Sequence, residues 1–302
     1  MTAPAVPPPP PSVETFRVGR LTVHAVQAGG IRLDGGAMFG VVPKPLWERR
    51  IPADDRNRIG LGMRCLVIEH AVGPIVVDTG LGNKENARFA DLYALDNAGT
   101  EGRTRLEDGL RAVGIAPTDV RLVINTHLHF DHAGGNTWQD ASGTVRPTFP
   151  NARYVWPRGE YHYATNTNER TAASYLAHNF VPLMEAGLVD EVVGEGEIVP
   201  GVRTLATPGH TPFHQSVVVE DGGETLCFLG DVCPTAAHLP LPWIMGYDVE
   251  PLATLESKRR VLRRAADEGW LLMFEHDLAV GVGRVAHDGK SFALVDAASR
   301  AG

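Results

Sequence analysis

Short apolar segments recur along most of the chain and predict β-strands. Residues 16–27 alternate apolar and polar side chains, as a half-buried strand does. Residues 64–69 and 74–78 are nearly continuous apolar runs, and the turn marked by Gly73 between them predicts a hairpin. Five more strands are predicted at residues 122–125, 202–206, 215–220, 225–229 and 270–274.

Apolar residues spaced three or four positions apart predict helices at residues 104–113, 168–186 and 252–268. Thr104 followed by Glu107 has the spacing of a capping box, which supports a helix start at that point. The third helix carries a basic cluster that we expect to face water, made of Lys258, Arg259 and Arg260. Hairpins interspersed with helices favour an α+β fold over a regular alternation of strand and helix.

Two segments outside these elements have a distinctive composition. Residues 1–14 are rich in proline and predict a disordered, extended arm. Residues 31–50 combine glycine and proline with apolar side chains, which favours a loop that packs on the core or lines a pocket. No further change in composition marks a boundary, so we expect a single domain over residues 15–302.

Charge and cysteine content narrow the class of protein. The 302 residues carry a net charge of −8, so the overall basic character typical of nucleic-acid binding is absent. Three cysteines without CxxC spacing form no disulfide framework and fit a reducing compartment. Neither a signal peptide nor an apolar run of roughly 20 residues is visible. We therefore expect a cytoplasmic protein without a membrane or nucleic-acid partner.

The strand predicted at 122–125 leads into a cluster of potential metal ligands, His127, His129, Asp131 and His132. Alternate side chains of an extended segment point the same way, so the first two histidines can reach one point. A turn then directs Asp131 and His132 to a second point nearby. Imidazole and carboxylate groups suit zinc, manganese or iron(II), and burying them is costly unless they are paired or bind a metal.

The segment HLHFDH resembles the HxHxDH signature of the metallo-β-lactamase superfamily. Four other segments resemble the remaining motifs of that family, in the family's order: residues 78–80, 207–211, 228–231 and 274–277. The resemblance implies a four-layer αββα sandwich and a hydrolase with two divalent metal ions. By resemblance, the metal ligands are His127, His129, Asp131, His132, His210, Asp231 and His276.

The resemblance also assigns roles within this site. His127, His129 and His210 would hold one ion, and Asp131, His132 and His276 the other, with Asp231 bridging them. A hydroxide shared by both ions would attack the substrate, and Asp131 would pass a proton to the leaving group. Asp78 would accept hydrogen bonds from a ligating histidine or the backbone, or alternatively would only cap a turn. Zinc is the expected metal, while manganese, iron and cobalt fit the same donors.

Residues 33–44 and 231–238, with Trp243 and Tyr247, are similar to the quorum-quenching branch that opens N-acyl-homoserine lactones. A small ester or lactone is therefore the expected substrate. Apolar residues of the first segment would contact the acyl tail, or would instead anchor that segment in the core or at a homodimer interface. The expected substrate contacts are Met38, Phe39, Val42, Trp47, His238 and Tyr247.

One position departs from the lactonase pattern. Some lactonases of the superfamily place a tyrosine three residues after the bridging aspartate, to assist the lactone oxyanion, and this chain has Pro234 there. Tyr247 or His238 would then have to substitute. The departure leaves a phosphotriesterase, or an esterase or thioesterase, as the alternative on the same metal site. A di-iron redox or sensing protein is the alternative of another class, although such relatives normally carry a second, flavin-binding domain.

Overall fold

A computed structural model describes residues 13–297 of the chain. The strands of its first half are β1 (Val13–Val18), β2 (Leu21–Asp34), β3 (Arg58–Glu69), β4 (Ile75–Val77), β5 (Leu122–Ile124), β6 (Thr137–Gln139), β7 (Val145–Pro147), β8 (Arg153–Pro157) and β9 (Val189–Val192). Those of its second half are β10 (Gly196–Val199), β11 (Val202–Ala206), β12 (Gln215–Asp221), β13 (Glu224–Phe228), β14 (Leu271–Met273), β15 (Val282–His287) and β16 (Phe292–Ala297).

The same residues form eight α-helices and four short 3₁₀ segments. The helices are α1 (Gly35–Phe39), α2 (Lys44–Trp47), α3 (Ala87–Tyr93), α4 (Arg105–Ala112), α5 (Phe130–Ala133), α6 (Glu160–Thr165), α7 (Val181–Glu185) and α8 (Pro251–Glu268). The 3₁₀ segments are Gly134–Asn136, Ala177–Asn179, Gly230–Val232 and Ala236–His238. None of these helices is long and apolar enough to cross a membrane.

The strands form two seven-stranded sheets and a two-stranded ribbon of β6 and β7. The first sheet has the order β1-β2-β3-β4-β5-β8-β9, and the second runs in sequence from β10 to β16. Both are mixed sheets: β4, β5, β8 and β9 are parallel to one another, as are β13 and β14, and the other pairs are antiparallel.

The two sheets pack face to face with helices on both outer faces. In β3, Leu66 and Ile68 point to the second sheet, where they join a core with Val217 and Phe228. The alternate residue Val67 points the other way, into the cluster that contains residues of α4 and α7. Residues of α8 cover the far face of the second sheet. The predicted α+β fold, a four-layer αββα sandwich, is confirmed.

Most predicted elements are present. The hairpin pairs β3 with β4, with Leu66 opposite Val77 and Gly73 in the left-handed region at φ 110°. The capping box of α4 is formed: the Thr104 hydroxyl accepts from the Glu107 amide, and the Glu107 carboxylate accepts from the Thr104 amide. Helix α8 and strands β11 to β14 also lie within two residues of their predicted bounds, whereas β15 and β16 were not predicted.

The strand predicted at 16–27 is wrong as one element, because β1 and β2 form a hairpin there. Gly19 makes the turn at φ 57°, and a Cβ at that position would lie 2.4 Å from the Asp221 carbonyl oxygen. Most of the predicted arm, residues 1–12, lies outside the described residues. Its last two residues, Val13 and Glu14, belong to β1 and pair with Val26 and Ala25.

The helix predicted at 168–186 is wrong over most of its length. Only the 3₁₀ segment Ala177–Asn179 and the short helix α7 lie in that range. The preceding residues form turns, since the Phe130 amide donates to the Ser174 carbonyl oxygen and the Tyr175 hydroxyl donates to the buried Glu160. Tertiary hydrogen bonds thus outweigh the helical spacing of apolar residues in this segment.

The basic cluster on α8 does not face water as a whole. Lys258 is 1% exposed, whereas Arg259 and Arg260 are exposed. The Lys258 ammonium donates to the carbonyl oxygens of Pro240 and Trp243, both 2.9 Å away. The charge is therefore compensated by backbone carbonyl dipoles rather than by solvent.

Candidate metal centre

The predicted ligands meet at one edge of the two sheets because each follows the end of a strand. His127 and His129 follow β5, and helix α5 then turns the chain so that Asp131 and His132 point back to the same edge. His210, Asp231 and His276 follow β11, β13 and β14 of the second sheet. All seven residues are buried, none more than 9% exposed. The sandwich therefore brings distant motifs into one closed site.

Two donor sets lie side by side. The ligand atoms of His127, His129, His210 and Asp231 lie within 4.8 Å of one another, as do those of Asp131, His132 and His276. Asp231 joins the sets: one carboxylate oxygen is 3.0 Å from His210 Nε2, and the other is 3.0 Å from His276 Nε2. Asp231 therefore lies between two groups of side chains, each of which could hold a metal ion.

The ring nitrogen of each histidine that faces away from the centre shows whether the other nitrogen is available to a metal. Four of them have Nδ1 against a protein oxygen, so that Nε2 is left for the centre. The partners are Thr126 Oγ1 for His127 at 3.0 Å, Asp78 for His132 at 3.0 Å, Asp248 for His210 at 2.8 Å and the Gly62 carbonyl for His276 at 2.7 Å. Among the described residues, the buried Nε2 of His127 has no hydrogen-bond partner. His129 presents Nδ1, 3.0 Å from His210 Nε2. This arrangement fits divalent cations bound by neutral imidazoles.

The pKa shifts separate the histidines of the site into those that stay neutral and those that neighbouring carboxylates favour in the charged form. Burial, together with the neighbouring histidines, holds the pKa of His127 and His129 well below the ordinary value, so these rings stay neutral. Burial also opposes charging of His210, but Asp231 and Asp248 outweigh it and raise its pKa to about 10. The proton on His210 is therefore held by these two carboxylates, and a bound cation would release it.

Asp78 comes directly after β4 and has φ 51°, a conformation that is rare outside glycine, asparagine and aspartate. Its carboxylate accepts from the Thr126 amide at 2.8 Å, the Thr126 hydroxyl at 2.7 Å and His132 Nδ1 at 3.0 Å. The Thr126 hydroxyl in turn accepts from His127 Nδ1. Asp78 thus orients one histidine of each donor set, which is the contact expected of it; its effect on metal binding stays a prediction.

Sequence reasoning did not single out two carboxylates that support the ligands. Glu160, fully buried on α6, accepts from the Leu128 amide at 3.1 Å and the hydroxyls of Tyr175 at 3.0 Å and Thr211 at 2.9 Å. It connects the segments on both sides of the first donor set. Asp248, buried before α8, accepts from His210 Nδ1. Neither residue lies near a ligand in the sequence, and neither belongs to a recognisable motif.

His214, four residues after His210, is buried. Its Nδ1 donates to the Thr207 hydroxyl at 2.8 Å, and its Nε2 accepts from the Asp231 amide at 3.0 Å. Burial and the nearby His210 lower its pKa to about 3, so the ring stays neutral and can accept. His214 therefore holds the backbone of the shared aspartate in place.

The residues expected to contact substrate are not equally accessible. Phe39 stacks between Trp47 and His238, with ring centroids 5.4 and 4.5 Å away, and Met38 is buried in the same cluster. His238 uses both ring nitrogens, towards the Thr235 hydroxyl and the Met38 carbonyl oxygen. These four side chains anchor the segment after β2, and their contact with substrate stays a prediction. Val42 is 9% exposed and Tyr247 36% exposed.

Comparison with known proteins identifies the fold family. The sequence model of the metallo-beta-lactamase superfamily matches residues 62–276, which include every predicted ligand. The chain belongs to the metallo-β-lactamase superfamily. An N-acyl homoserine lactonase from a Bacillus species is 32% identical over 231 residues, which cover 73% of this chain and 83% of that relative.

Solved structures agree with the superfamily assignment. A protein described as a probable metal-dependent hydrolase from Staphylococcus aureus superposes with a TM-score of 0.83 at 28% identity, covering 92% of this chain and 98% of its own. A variant of the Bacillus thuringiensis enzyme AiiA, with N-decanoyl-L-homoserine bound at its active site, superposes with a TM-score of 0.65 at 26% identity, covering 87% and 95%. The chain is a metal-dependent hydrolase with lactonase homologues, and the predicted family and enzyme class are confirmed.

Proposed function

We propose that the protein is a dinuclear N-acyl-homoserine lactonase. The observation that carries this proposal is the position of Asp231 between the two donor sets, 3.0 Å from the Nε2 atoms of His210 and His276. The relatives named as N-acyl homoserine lactonases support the choice of substrate. A quorum-quenching role follows from that substrate.

Two zinc ions are the proposed occupants, because imidazole and carboxylate donors with open positions are typical of catalytic zinc. His127, His129 and His210 would hold one ion, and Asp131, His132 and His276 the other, with Asp231 shared between them. When bound, such a pair supplies Lewis acidity and an acidified water as the nucleophile for an ester carbonyl. The protein's own contribution is to fix the histidines through Asp78, Thr126, Asp248 and Gly62.

Asp131 is the proposed proton donor to the leaving alkoxide of the opened lactone. Its carboxylate is 3.8 Å from His132 Nε2 and 3.9 Å from His276 Nε2, at the edge of the second donor set. The side chain is 10% exposed, so it lies at the boundary between the buried centre and the space in which a substrate would bind. A carboxyl group in that place can move a proton without crossing bulk solvent.

Tyr247 is the proposed hydrogen-bond donor to the lactone carbonyl oxygen in place of a tyrosine at position 234. His238 cannot fill this role in the described arrangement, because both of its ring nitrogens are already hydrogen-bonded. Burial raises the pKa of the Tyr247 phenol, and the charges of Tyr93, Asp34 and Asp131 raise it further, so the hydroxyl stays protonated. Within residues 13–297 no hydrogen bond involves that hydroxyl, which leaves it free to donate.

The acyl tail is proposed to lie along the segment after β2 and beside Tyr247. Val41 is 91% exposed and Leu46 49% exposed on this segment, so an apolar surface is available above the buried Phe39 cluster. The same two side chains are the proposed contacts of a homodimer, if the protein forms one. Tail length should therefore affect substrate affinity more than the chemical step.

The test measures acid release from a short-chain and a long-chain N-acyl-homoserine lactone, using zinc-loaded protein and a pH indicator. We expect Asp131→Asn to lower kcat by about 10²–10⁴-fold, since it removes a proton donor and a charged ligand. Asp55→Asn, which changes an exposed carboxylate, is the matched control and should keep the activity. No acid release by wild-type protein with two ions bound would refute the lactonase proposal, and phosphotriesters and thioesters would be assayed next.

A further inference from the structure

Glu275 is a buried carboxylate that the proposed mechanism does not use. It lies between Phe274, the first residue after β14, and the predicted ligand His276, and its side chain is fully buried. Within the described residues neither of its carboxylate oxygens has a hydrogen-bond partner. Since buried charged groups are normally paired and hydrogen-bonded, this side chain requires an explanation.

The carboxylate of Glu275 lies against a metal-ligating ring. Its Oε2 is 3.1 Å from His132 Nδ1, while the hydrogen on that nitrogen is directed to Asp78, 3.0 Å away. One ligand atom of each of these three residues lies within 4.8 Å of the others. Two carboxylates thus face one N–H group, and Glu275 contributes charge next to the ring without a hydrogen bond.

This arrangement should destabilise the chain when no cation is bound. A carboxylate withdrawn from water loses its hydration, and Glu275 recovers none of it through hydrogen bonds. Arg64 is near but donates to the carbonyl oxygens of Phe274 and Asp277 instead. Among the described residues, the cationic groups within reach of this charge are Arg64 and a protonated His132, and a cation bound on the inner side of His132 would add to them.

A dinuclear centre would supply that positive charge. Two divalent ions carry four positive charges, and only two of the ligands, Asp131 and Asp231, are carboxylates. The remaining excess is reduced by carboxylates that lie behind the histidines, namely Asp78, Asp248 and Glu275. Carboxylates in this position are known to strengthen metal binding by their neighbouring histidines.

We propose that Glu275 is a positioning and charge-balancing residue that raises the affinity of the Asp131–His132–His276 set for a divalent cation and lowers the stability of the metal-free fold. The inference rests on the proposed metal centre but not on the identity of the substrate. A purely structural carboxylate would have the opposite effect on the metal-free protein, because its removal would then lower stability.

The test compares wild-type protein with Glu275→Gln, which removes the charge and nearly keeps the shape. Metal-free protein is titrated with Zn²⁺ against a chromophoric chelator, and its thermal unfolding is followed separately. We expect one of the two Zn²⁺ dissociation constants to rise by about 10–100-fold. The Tm of the metal-free variant should equal or exceed that of metal-free wild type.

Two further variants make the result specific. Glu275→Asp keeps the charge and should bind Zn²⁺ within a few-fold of wild type. Glu85→Gln changes a carboxylate that is also 3.1 Å from an imidazole nitrogen, that of His178, but is not beside a ligand, so it should leave Zn²⁺ affinity unchanged. An unchanged affinity in Glu275→Gln, or a metal-free variant that is less stable than wild type or unfolded, would overturn the inference. Failure of wild type to bind Zn²⁺ would instead refute the proposed metal centre.

Discussion

Glu160 provides the most direct test of how the fold supports the candidate centre. Replacing it with alanine removes the acceptor for the Leu128 amide and for the hydroxyls of Tyr175 and Thr211. Leu128 lies between the predicted ligands His127 and His129, and Thr211 follows the predicted ligand His210. The substitution should therefore weaken both the fold and the first donor set.

The magnitude follows from the groups that are left without a partner. Each buried donor without an acceptor costs about 1–3 kcal/mol, so three of them give roughly 3–9 kcal/mol. Removing the carboxylate also removes the penalty for burying it, which is reflected in the raised pKa of Glu160. We expect a net loss of about 3–5 kcal/mol, a large part of the roughly 5–15 kcal/mol typical of folded proteins.

Graded variants separate the hydrogen bonds from the charge. In Glu160→Gln the amide oxygen can still accept from Leu128, and the amide nitrogen can donate to the Thr211 hydroxyl, so we expect a loss of only about 1 kcal/mol. Tyr175→Phe removes one of the three hydrogen bonds and keeps the ring 4.6 Å from His129, with a similarly small loss. Urea unfolding of the metal-free proteins measures all three variants. A loss below about 1 kcal/mol in Glu160→Ala, or equal losses in the alanine and glutamine variants, would refute the reasoning.

Two other predictions follow from the same structure. Tyr247→Phe should lower lactonase kcat by about 10–10³-fold with little change in Tm, because it deletes one hydrogen-bond donor to the developing oxyanion. Steady-state kinetics measure this effect, and an unchanged kcat would exclude that role for Tyr247. Burial lowers the pKa of Lys258 to about 8, so above pH 8 the folded state has lost a proton that the unfolded state retains until about pH 10. The free energy of unfolding of wild type should therefore rise between pH 8 and pH 10 by up to about 1.4 kcal/mol per pH unit relative to Lys258→Met. Urea unfolding of both proteins at the two pH values measures this change. The same difference between the two proteins at both pH values would contradict the prediction.

Elements that follow from local chemistry could be predicted from the sequence. The capping box at Thr104 and the turn at Gly73 are each set by a few adjacent residues, and both are present. The ligand segments were also recognisable, since the order of five motifs from residue 78 to residue 277 carries more information than any one of them. The structure brings these segments together at one edge of the sandwich.

Features that depend on tertiary contacts could not be predicted in this way. The helical spacing at 168–186 was misleading because Ser174 and Tyr175 are hydrogen-bonded to the site. Lys258 follows the charge pattern of a solvated helix face, yet it is directed inward to carbonyl oxygens that belong to a segment 15 to 18 residues earlier in the chain. Neither arrangement leaves a signal in the local sequence.

The contrast between ligands and their supports has a functional consequence. His210 is predicted as a ligand from its motif, whereas Asp248, which is hydrogen-bonded to it, is 38 residues away and is brought close only by the fold. Glu160 likewise contacts the segment of the predicted ligands His127 and His129 from a position without a motif. Because these carboxylates set the orientation and charge around the ligands, two proteins with the same seven ligands can differ in metal affinity and stability. Differences of that kind between this chain and its lactonase relatives are expected at the supporting residues rather than at the ligands.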